Sequence, residues 1–241
     1  MFKSPLLEHE GKTYETIEQK AELLREKILQ RFDTRDDLEE DPLTGMNVAQ
    51  EGLIPWDTHV SMEEVEANTI KVSSTSPGVD QITVKLLKNV WEDIREYVRG
   101  LFQESLAQGH FPTPWKKAEV AMIPKVGKKD RASVRSYRPI ALLSCLGKGL
   151  ERIIAKRIAW LSLERGLISP QHCGALPKRS AMDLITCFTH DVEAALAEYK
   201  CVSLLTGDVQ GAFDALLPRR ALARMKKMGF IAIALRFIAS F

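Results

Sequence analysis

The stretch Leu204-Leu205-Thr206-Gly207-Asp208-Val209-Gln210-Gly211-Ala212-Phe213-Asp214-Ala215-Leu216 decides how this chain is read. Cys201, Val202, Leu204 and Leu205 make an apolar, partly β-branched run, which predicts a strand. Asp208 stands where that run stops, and a helical pattern follows Gly211-Ala212. A carboxylate at the end of a buried strand is costly unless it is paired or bound to a metal ion. A strand end also gives the rigid placement that a metal ligand needs. The same spacing fits Asp208 as the cap of a helix beginning near Gly211. On the residues alone both readings stand.

Around that stretch lie 241 residues, enough for one large domain or two small ones. With 45% hydrophobic and 27% charged residues, a globular protein is expected. No apolar run reaches the roughly 18 residues of a membrane span. Met1-Phe2-Lys3-Ser4-Pro5 shows no signal-peptide pattern. Cys145, Cys173, Cys187 and Cys201 are too dispersed for a Cys-x-x-Cys zinc site, so free thiols in a reducing compartment are expected. The net charge of +2 conceals an asymmetry. Residues 1–70 hold 17 acids and 7 bases, and residues 116–157 hold 12 bases and 3 acids. A basic segment in a balanced chain points to a polyanion, nucleic acid first among them. A solvated helix face with a lysine-rich loop would look the same.

Taken in order, residues 13–32 predict an amphipathic helix with Ile17, Ala21, Leu24, Ile28 and Phe32 on one face. The acidic run Asp33 to Pro42 and the glycines after it predict a poorly packing linker over 33–60. Ser61-Met62-Glu63-Glu64 is a capping box that opens a short helix. After the turn-rich loop 73–80, a long helix is expected to turn Ile82, Leu86, Val90, Ile94, Tyr97, Leu101 and Phe102 inward and to stop at Gly109. Two strands, 118–123 and 138–143, flank the basic loop Lys125 to Arg131, with Pro139 near a strand start or on an edge. A helix from about Cys145 runs to Gly166. Ser180 caps another, with Leu184, Phe188, Val192 and Leu196 inward. The last residues, from Ile231, form an apolar helical pattern with no stop signal, as though the chain were cut there.

Several of these blocks, in order and at matching intervals, resemble the reverse transcriptases of non-LTR (LINE-type) retrotransposons, fungal members most closely. Ser76-Pro77-Gly78-Val79-Asp80 is similar to the family's opening motif. Ala121-Met122-Ile123-Pro124-Lys125 resembles its first fingers strand, and Ser136 to Ser144 its second, running into Gly147-Lys148-Gly149-Leu150-Glu151-Arg152. The span from Gln171 to Asp183 resembles the block before the palm. Asp208 with Ala212-Phe213-Asp214 resembles the first catalytic palm motif.

The resemblance implies a helix-rich α+β fold: right-hand polymerase fingers over 61–200 and an incomplete palm over 201–241, behind a helix and acidic loop in 1–60. It implies RNA-templated extension of a DNA primer from deoxynucleoside triphosphates, by in-line phosphoryl transfer with two Mg2+ ions. Asp208 would be the catalytic metal ligand, helped by the Val209 carbonyl. Phe213 would be the ring that excludes a 2′-OH, and the alternative is an ordinary core phenylalanine. Asp214 fits a structural or capping acid. Lys125 and Arg138 would meet the triphosphate. Lys128, Lys129, Arg131 and Arg135 would attract template phosphates, and Gln171 and Arg179 would touch template or nucleotide. His172 reads as a loop residue.

Three residues depart from the family pattern. Gln81 stands for a glycine, Gly207 for a bulky residue, and Gln210 for a lysine. The second carboxylate pair of the family is expected downstream of Phe241, so these 241 residues should not polymerise by themselves. The chain then reads either as a fragment or decayed copy of a reverse transcriptase, or as a non-catalytic nucleic-acid-binding remnant. The family context implies an intracellular protein, nuclear or in a cytoplasmic ribonucleoprotein. An exposed palm edge and apolar helix surface should favour aggregation.

Overall fold

The computed structural model describes residues 5–29, 36–46, 53–73, 76–127, 130–209, 212 and 216–241. They form α+β structure in which helices dominate and two small antiparallel hairpins supply the strands. Contacts divide the chain into two units: residues 1–149 with 211–241, and residues 150–210.

The first unit opens with a hairpin that the sequence reading missed, β1 (Leu7–His9) with β2 (Lys12–Tyr14). Thr16 then caps α1 (Ile17–Leu24): its Oγ1 accepts from Gln19 N at 3.2 Å, and Gln19 Oε1 accepts from Thr16 N at 3.3 Å. The helix continues as a π-turn over Arg25–Leu29. Its buried side is Lys20, Leu23, Leu24 and Ile28, whereas Ile17 is 76% exposed. The expected stripe was therefore rotated: Ile17 sits at the first position of the helix, where little lies over it. Leu7, Leu23, Leu24, Ile28 and Val134 form one core cluster, joined by Met122 and Tyr137.

Ser61 Oγ accepts from Glu64 N at 3.1 Å and starts α2 (Met62–Thr69), as expected. The expected long helix is two, α3 (Val84–Asn89) and α4 (Trp91–Gln108), broken at Val90, whose φ of −108° and ψ of 10° leave the helical region. That break resets the register. Val84, Leu87, Trp91, Val98, Phe102 and Leu106 are buried, while Tyr97 is exposed and Leu86 and Leu101 are nearly half exposed. Gly109 ends α4 at φ +63°, a left-handed value that glycine adopts freely, and His110 N closes the cap on Ser105 O at 3.0 Å.

β3 (Glu119–Pro124) pairs with β4 (Tyr137–Leu142), with Ile123 opposite Arg138 and Pro124 opposite Tyr137. Pro139 sits in a two-stranded ribbon, where both strands are edges and a missing N–H is tolerated. α5 (Cys145–Glu164) follows and carries the chain from the first unit into the second.

The chain's last helices return to the first unit as α7 (Pro218–Lys227) and α8 (Ala232–Ala239). The apolar pattern at the end is a core helix: Ala232, Ala234, Leu235 and Phe237 are buried. Phe111 stacks on Phe241 at 4.2 Å between ring centroids, and Phe237 meets Phe111, Phe241 and Trp56 at 5.5–6.1 Å. Ser240 Oγ accepts from Phe111 N at 2.7 Å. α8 thus presents no apolar face to solvent of the kind expected at the chain end.

The acidic segment read as a loose linker is also docked. The Asp37 carboxylate accepts from Arg219 N at 2.8 Å and Arg220 N at 3.0 Å, at the first turn of α7. Arg219 Nη1 donates to Leu38 O and Glu39 O, and Lys226 Nζ donates to Pro42 O at 2.8 Å.

In the second unit, Gly166 ends α5 at φ +62° as expected. Ser180 and Asp183 form a reciprocal capping box at the start of α6 (Ala181–Ala197). No residue of α6 is buried. The expected inward side chains Leu184, Phe188 and Leu196 are 49%, 41% and 57% exposed. Residues 201–209 form no strand, and Leu204 and Leu205 are exposed. A strand needs a hydrogen-bonded neighbour, and no described segment pairs with this one.

Candidate functional site

Two of the matched blocks meet in the first unit. At Gly78 the chain lies flat on the backbone that joins β4 to α5: a Cβ there would come within 2.6 Å of Leu143 C and Ser144 N. Only glycine permits that approach. Lys148 Nζ, in the first turn of α5, donates to Ser76 O at 2.8 Å. Gly149 lets α5 close on α2 and α4, since a Cβ there would meet Thr69 Oγ1 at 2.6 Å and Phe102 Cζ at 3.3 Å. The Ser-Pro-Gly-Val-Asp turn and the Gly-Lys-Gly helix start are therefore parts of one joint.

The turn also explains one departure from the family pattern. Gln81 has φ +56°, in the left-handed region where glycine is favoured. Gln81 N donates to Gly78 O at 3.0 Å, and Asp80 Oδ1 accepts from Ile82 N at 3.1 Å. Glutamine holds the geometry at some backbone strain.

The β3–β4 hairpin has two unlike faces. Met122 and Tyr137 pack onto the cluster built from β1, α1 and Val134. On the opposite face Ile123, Arg138 and Ile140 are exposed. Arg138 lies one rung from the loop end, and Lys125 begins the loop itself. Lys125 Nζ donates to Arg135 O at 2.8 Å, and Lys125 N to Ser136 O at 2.8 Å, which folds the loop back on itself. Asp130 Oδ1 accepts from Ala132 N at 2.9 Å, and Tyr137 Oη–H donates to Arg131 O at 2.9 Å. Arg131 and Arg135 are exposed. The structure thus gathers Lys125, Arg131, Arg135 and Arg138 at one end of one hairpin. Lys128 and Lys129 lie outside the described residues.

In the second unit a cleft of about 520 Å³ is lined by Gln171, Arg179, Cys173, Asp183, Cys187 and Phe188, among others. Arg179 Nη1 donates to His172 O at 2.7 Å and to Pro170 O, so its guanidinium braces the loop 170–172. Gln171 and Arg179 thus line one cleft. The cysteines in the same cleft were not singled out from sequence; their 14-residue separation gave no local signal.

Asp208 is exposed, in a segment without regular structure, and Val209 is 72% exposed. Among the described residues no three His, Cys, Asp or Glu side chains are close enough to hold a metal ion. The described residues by themselves therefore do not complete the two-ion site that the resemblance implies around Asp208. Phe213 and Asp214 lie outside the described residues. Among the described residues no helix is long and apolar enough to cross a membrane.

Titration is perturbed at structural joints. Glu66 is held below the ordinary carboxylate range by hydrogen bonds from Lys71 Nζ and Trp91 Nε1, against some desolvation. Asp37 is also lowered: desolvation pushes it up, but the N–H groups of Arg219, Leu38 and Arg220 outweigh it.

Residues 123–240 match the family model described as reverse transcriptase (RNA-dependent DNA polymerase). The chain is 34% identical over 163 residues, 67% of its length, to the retrovirus-related Pol polyprotein from type-1 retrotransposable element R1 of Bradysia coprophila, and covers 16% of that protein. It is 31% identical over 166 residues, 69% of its length, to the probable RNA-directed DNA polymerase from transposon BS of Drosophila melanogaster, covering 18% of it. To the RNA-directed DNA polymerase from mobile element jockey of Drosophila melanogaster it is 35% identical over 100 residues, 41% of the chain and 11% of the relative. The chain therefore spans less than a fifth of the length of these curated relatives. Residues 123–240 are reverse transcriptase domain sequence of the non-LTR retrotransposon kind, covering only part of those longer proteins.

Proposed function

We propose that this chain supplies the fingers, residues 61–200, and the start of the palm, residues 201–241, of an RNA-directed DNA polymerase from a non-LTR retrotransposon, nearest the fungal elements by its motifs. Residues 1–60 lead into it. Its substrates in the complete enzyme are an RNA template, a DNA primer and deoxynucleoside triphosphates, handled inside the cell in the nucleus or a ribonucleoprotein. The observation that carries this reading is the gathering of Lys125 and Arg138 at one end of the β3–β4 hairpin, within the matched segment. Guanidinium and ammonium groups suit phosphate oxygens, the arginine bidentately. Arg131 and Arg135, with Lys128 and Lys129, add diffuse attraction for template phosphates, and Gln171 and Arg179 contact template or nucleotide.

In this reading Asp208 and the Val209 carbonyl are one corner of a Mg2+ site, and Phe213 screens the sugar. A lone carboxylate does not fix two ions, so the 241 residues give no primer extension by themselves. The test uses the chain as it stands, with an RNA template, a DNA primer and Mg2+. No product is expected, while a photoreactive deoxynucleoside triphosphate labels the protein. Arg138→Ala should cut that labelling by roughly tenfold, the loss of about one charge-assisted phosphate contact. Labelling indifferent to Lys125 and Arg138, or robust extension, would overturn the reading.

The alternative, a non-catalytic nucleic-acid-binding remnant, is served equally by the exposed cations Arg131, Arg135 and Arg138 on the hairpin. It predicts salt-dependent RNA binding with no triphosphate labelling.

A further inference from the structure

The contact between residues 36–46 and α7 joins two strongly charged pieces of chain separated by some 180 positions in sequence. α7 reads Pro-Arg-Arg-Ala-Leu-Ala-Arg-Met-Lys-Lys: five cations and no acid in ten residues. The facing segment starts Asp36-Asp37-Leu38-Glu39-Glu40-Asp41, five acids in six.

The bonding between them is unusual in one respect. The first-turn N–H groups of α7 have no cap from the helix's own flank. Asp37 supplies it from a distance, its two oxygens on Arg219 N and Arg220 N. A carboxylate there meets both the orphan donors and the positive end of the helix dipole. The guanidinium groups bind carbonyl oxygens: Arg219 takes Leu38 O and Glu39 O, and Arg220 takes Asp36 O at 2.9 Å. Carbonyls satisfy donors without neutralising their charge.

The segment has no fully buried apolar anchor, and Leu38, Pro42, Leu43 and Met46 are half-buried. None of its residues 36–46 is buried. Exposed hydrogen bonds to its carbonyls and to the Asp37 carboxylate tie it to α7, and such contacts between charged segments exchange readily with another polyanion and weaken with salt. The cations it bonds, Arg219, Arg220 and Lys226, span about 10 Å of the axis of α7. That length suits successive backbone phosphates better than a single small anion.

We propose that residues 36–46 are a releasable acidic strap over a cationic nucleic-acid surface on α7, and that single-stranded RNA displaces it. The choice of RNA over other polyanions rests on the polymerase reading; the strap itself does not. Bound RNA takes the arginines from the strap carbonyls, and the strap then swings free of Arg219 and Arg220.

Two measurements on the full chain test this. The first follows cleavage of the wild-type protein after Glu39 and Glu40 by a glutamate-specific protease, with and without a 20-nucleotide single-stranded RNA. RNA should speed that cleavage several-fold, and polyglutamate of equal charge, used as the D polymer that the protease does not cut, should not. The second measures RNA binding by fluorescence polarisation for a variant with Asp36→Asn, Asp37→Asn, Glu39→Gln, Glu40→Gln and Asp41→Asn. Affinity should rise by roughly tenfold at moderate salt, with a steeper salt slope, and Arg220→Gln plus Lys226→Gln should cancel the gain. Bound RNA with unchanged cleavage overturns the strap and leaves the polymerase reading intact. Equal displacement by polyglutamate makes an acidic polypeptide the partner and overturns the RNA assignment. Because the first measurement needs no variant, it stands even if loss of the Asp37 cap unfolds α7.

Discussion

Helices α4 and α6 are nearly equal in length, 18 and 17 residues, and each carries an apolar stripe, yet they end in opposite surroundings. α4 buries Trp91, Val98, Phe102 and Leu106. α6 buries nothing, and Phe188 and Ile185 face solvent. The difference is not in how the helices begin. α6 has the fuller cap, a reciprocal Ser180–Asp183 box, while α4 has no side-chain cap at all. Local chemistry sets where a helix starts; burial depends on what the rest of the chain brings to its face. The first unit brings a ring of aromatics from 111, 115, 237 and 241, whereas Tyr199, just past α6, is 98% exposed.

The largest expected break in this comparison is a pair of truncations. Phe102→Ala removes a fully buried ring that meets Trp115 edge-on at 5.9 Å, and should cost about 3–5 kcal/mol in urea unfolding. Phe188→Ala, on the open face of α6, should cost less than about 1 kcal/mol. Equal losses would mean that α6 is packed as well as α4.

Glycines give a smaller contrast. Gly149→Ala forces a methyl against Thr69 Oγ1, at 2.6 Å. Overpacking of about 1–3 kcal/mol outweighs a helix-propensity gain of about 1, so a net loss near 1 kcal/mol is expected in thermal melts. Gly207→Ala meets nothing within 4 Å and should stay within about 0.5 kcal/mol of neutral.

Acid probes the joint between α2 and α4. Glu66 has its folded-state pKa below the ordinary 4.5, so its contribution is fully present above about pH 4.5 and is lost as pH falls through the lowered value. Wild-type melting temperature should drop below pH 4.5, and Glu66→Gln should flatten that drop while lowering stability at pH 7. A variant with the wild-type slope would remove Glu66 from the account.

The smallest effect is at the Ser-Pro-Gly-Val-Asp turn. Gln81→Gly relieves a left-handed backbone at φ +56°, but frees the unfolded chain. A net gain of about 0.5 kcal/mol is expected from chemical denaturation.

These cases also mark what was legible beforehand. Helix starts at Ser61 and Ser180, stops at Gly109 and Gly166, and the β3–β4 ribbon around Pro124 and Pro139 were readable, because each rests on residues within a few positions of one another. Facing was less readable. The break at Val90 turned Tyr97 and Leu101 outward, and no single residue there announces it. The Asp37–Arg219 contact was hidden because complementary charges far apart in sequence carry no register. Of the candidate site, Lys125 and Arg138 lie near the loop end of one hairpin, and Gln171 and Arg179 line one cleft, an arrangement that no local pattern in the sequence gave. Asp208 did not gain the strand expected beneath it, since strand propensity at 201–205 acts only when a neighbour supplies the ladder.

The most direct test of the central claim, that among the described residues α6 and residues 201–209 are less packed than α4 and α8, is native-state amide hydrogen exchange followed by mass spectrometry. Amides of α4 and α8 should exchange only through global unfolding, and those of α6 and of residues 201–209 at least about a hundredfold faster, through local opening. Protection of Leu204 to Asp208 equal to that of α4 would contradict the account, because it would mean that the segment is already paired and that Asp208 is held as a rigid ligand.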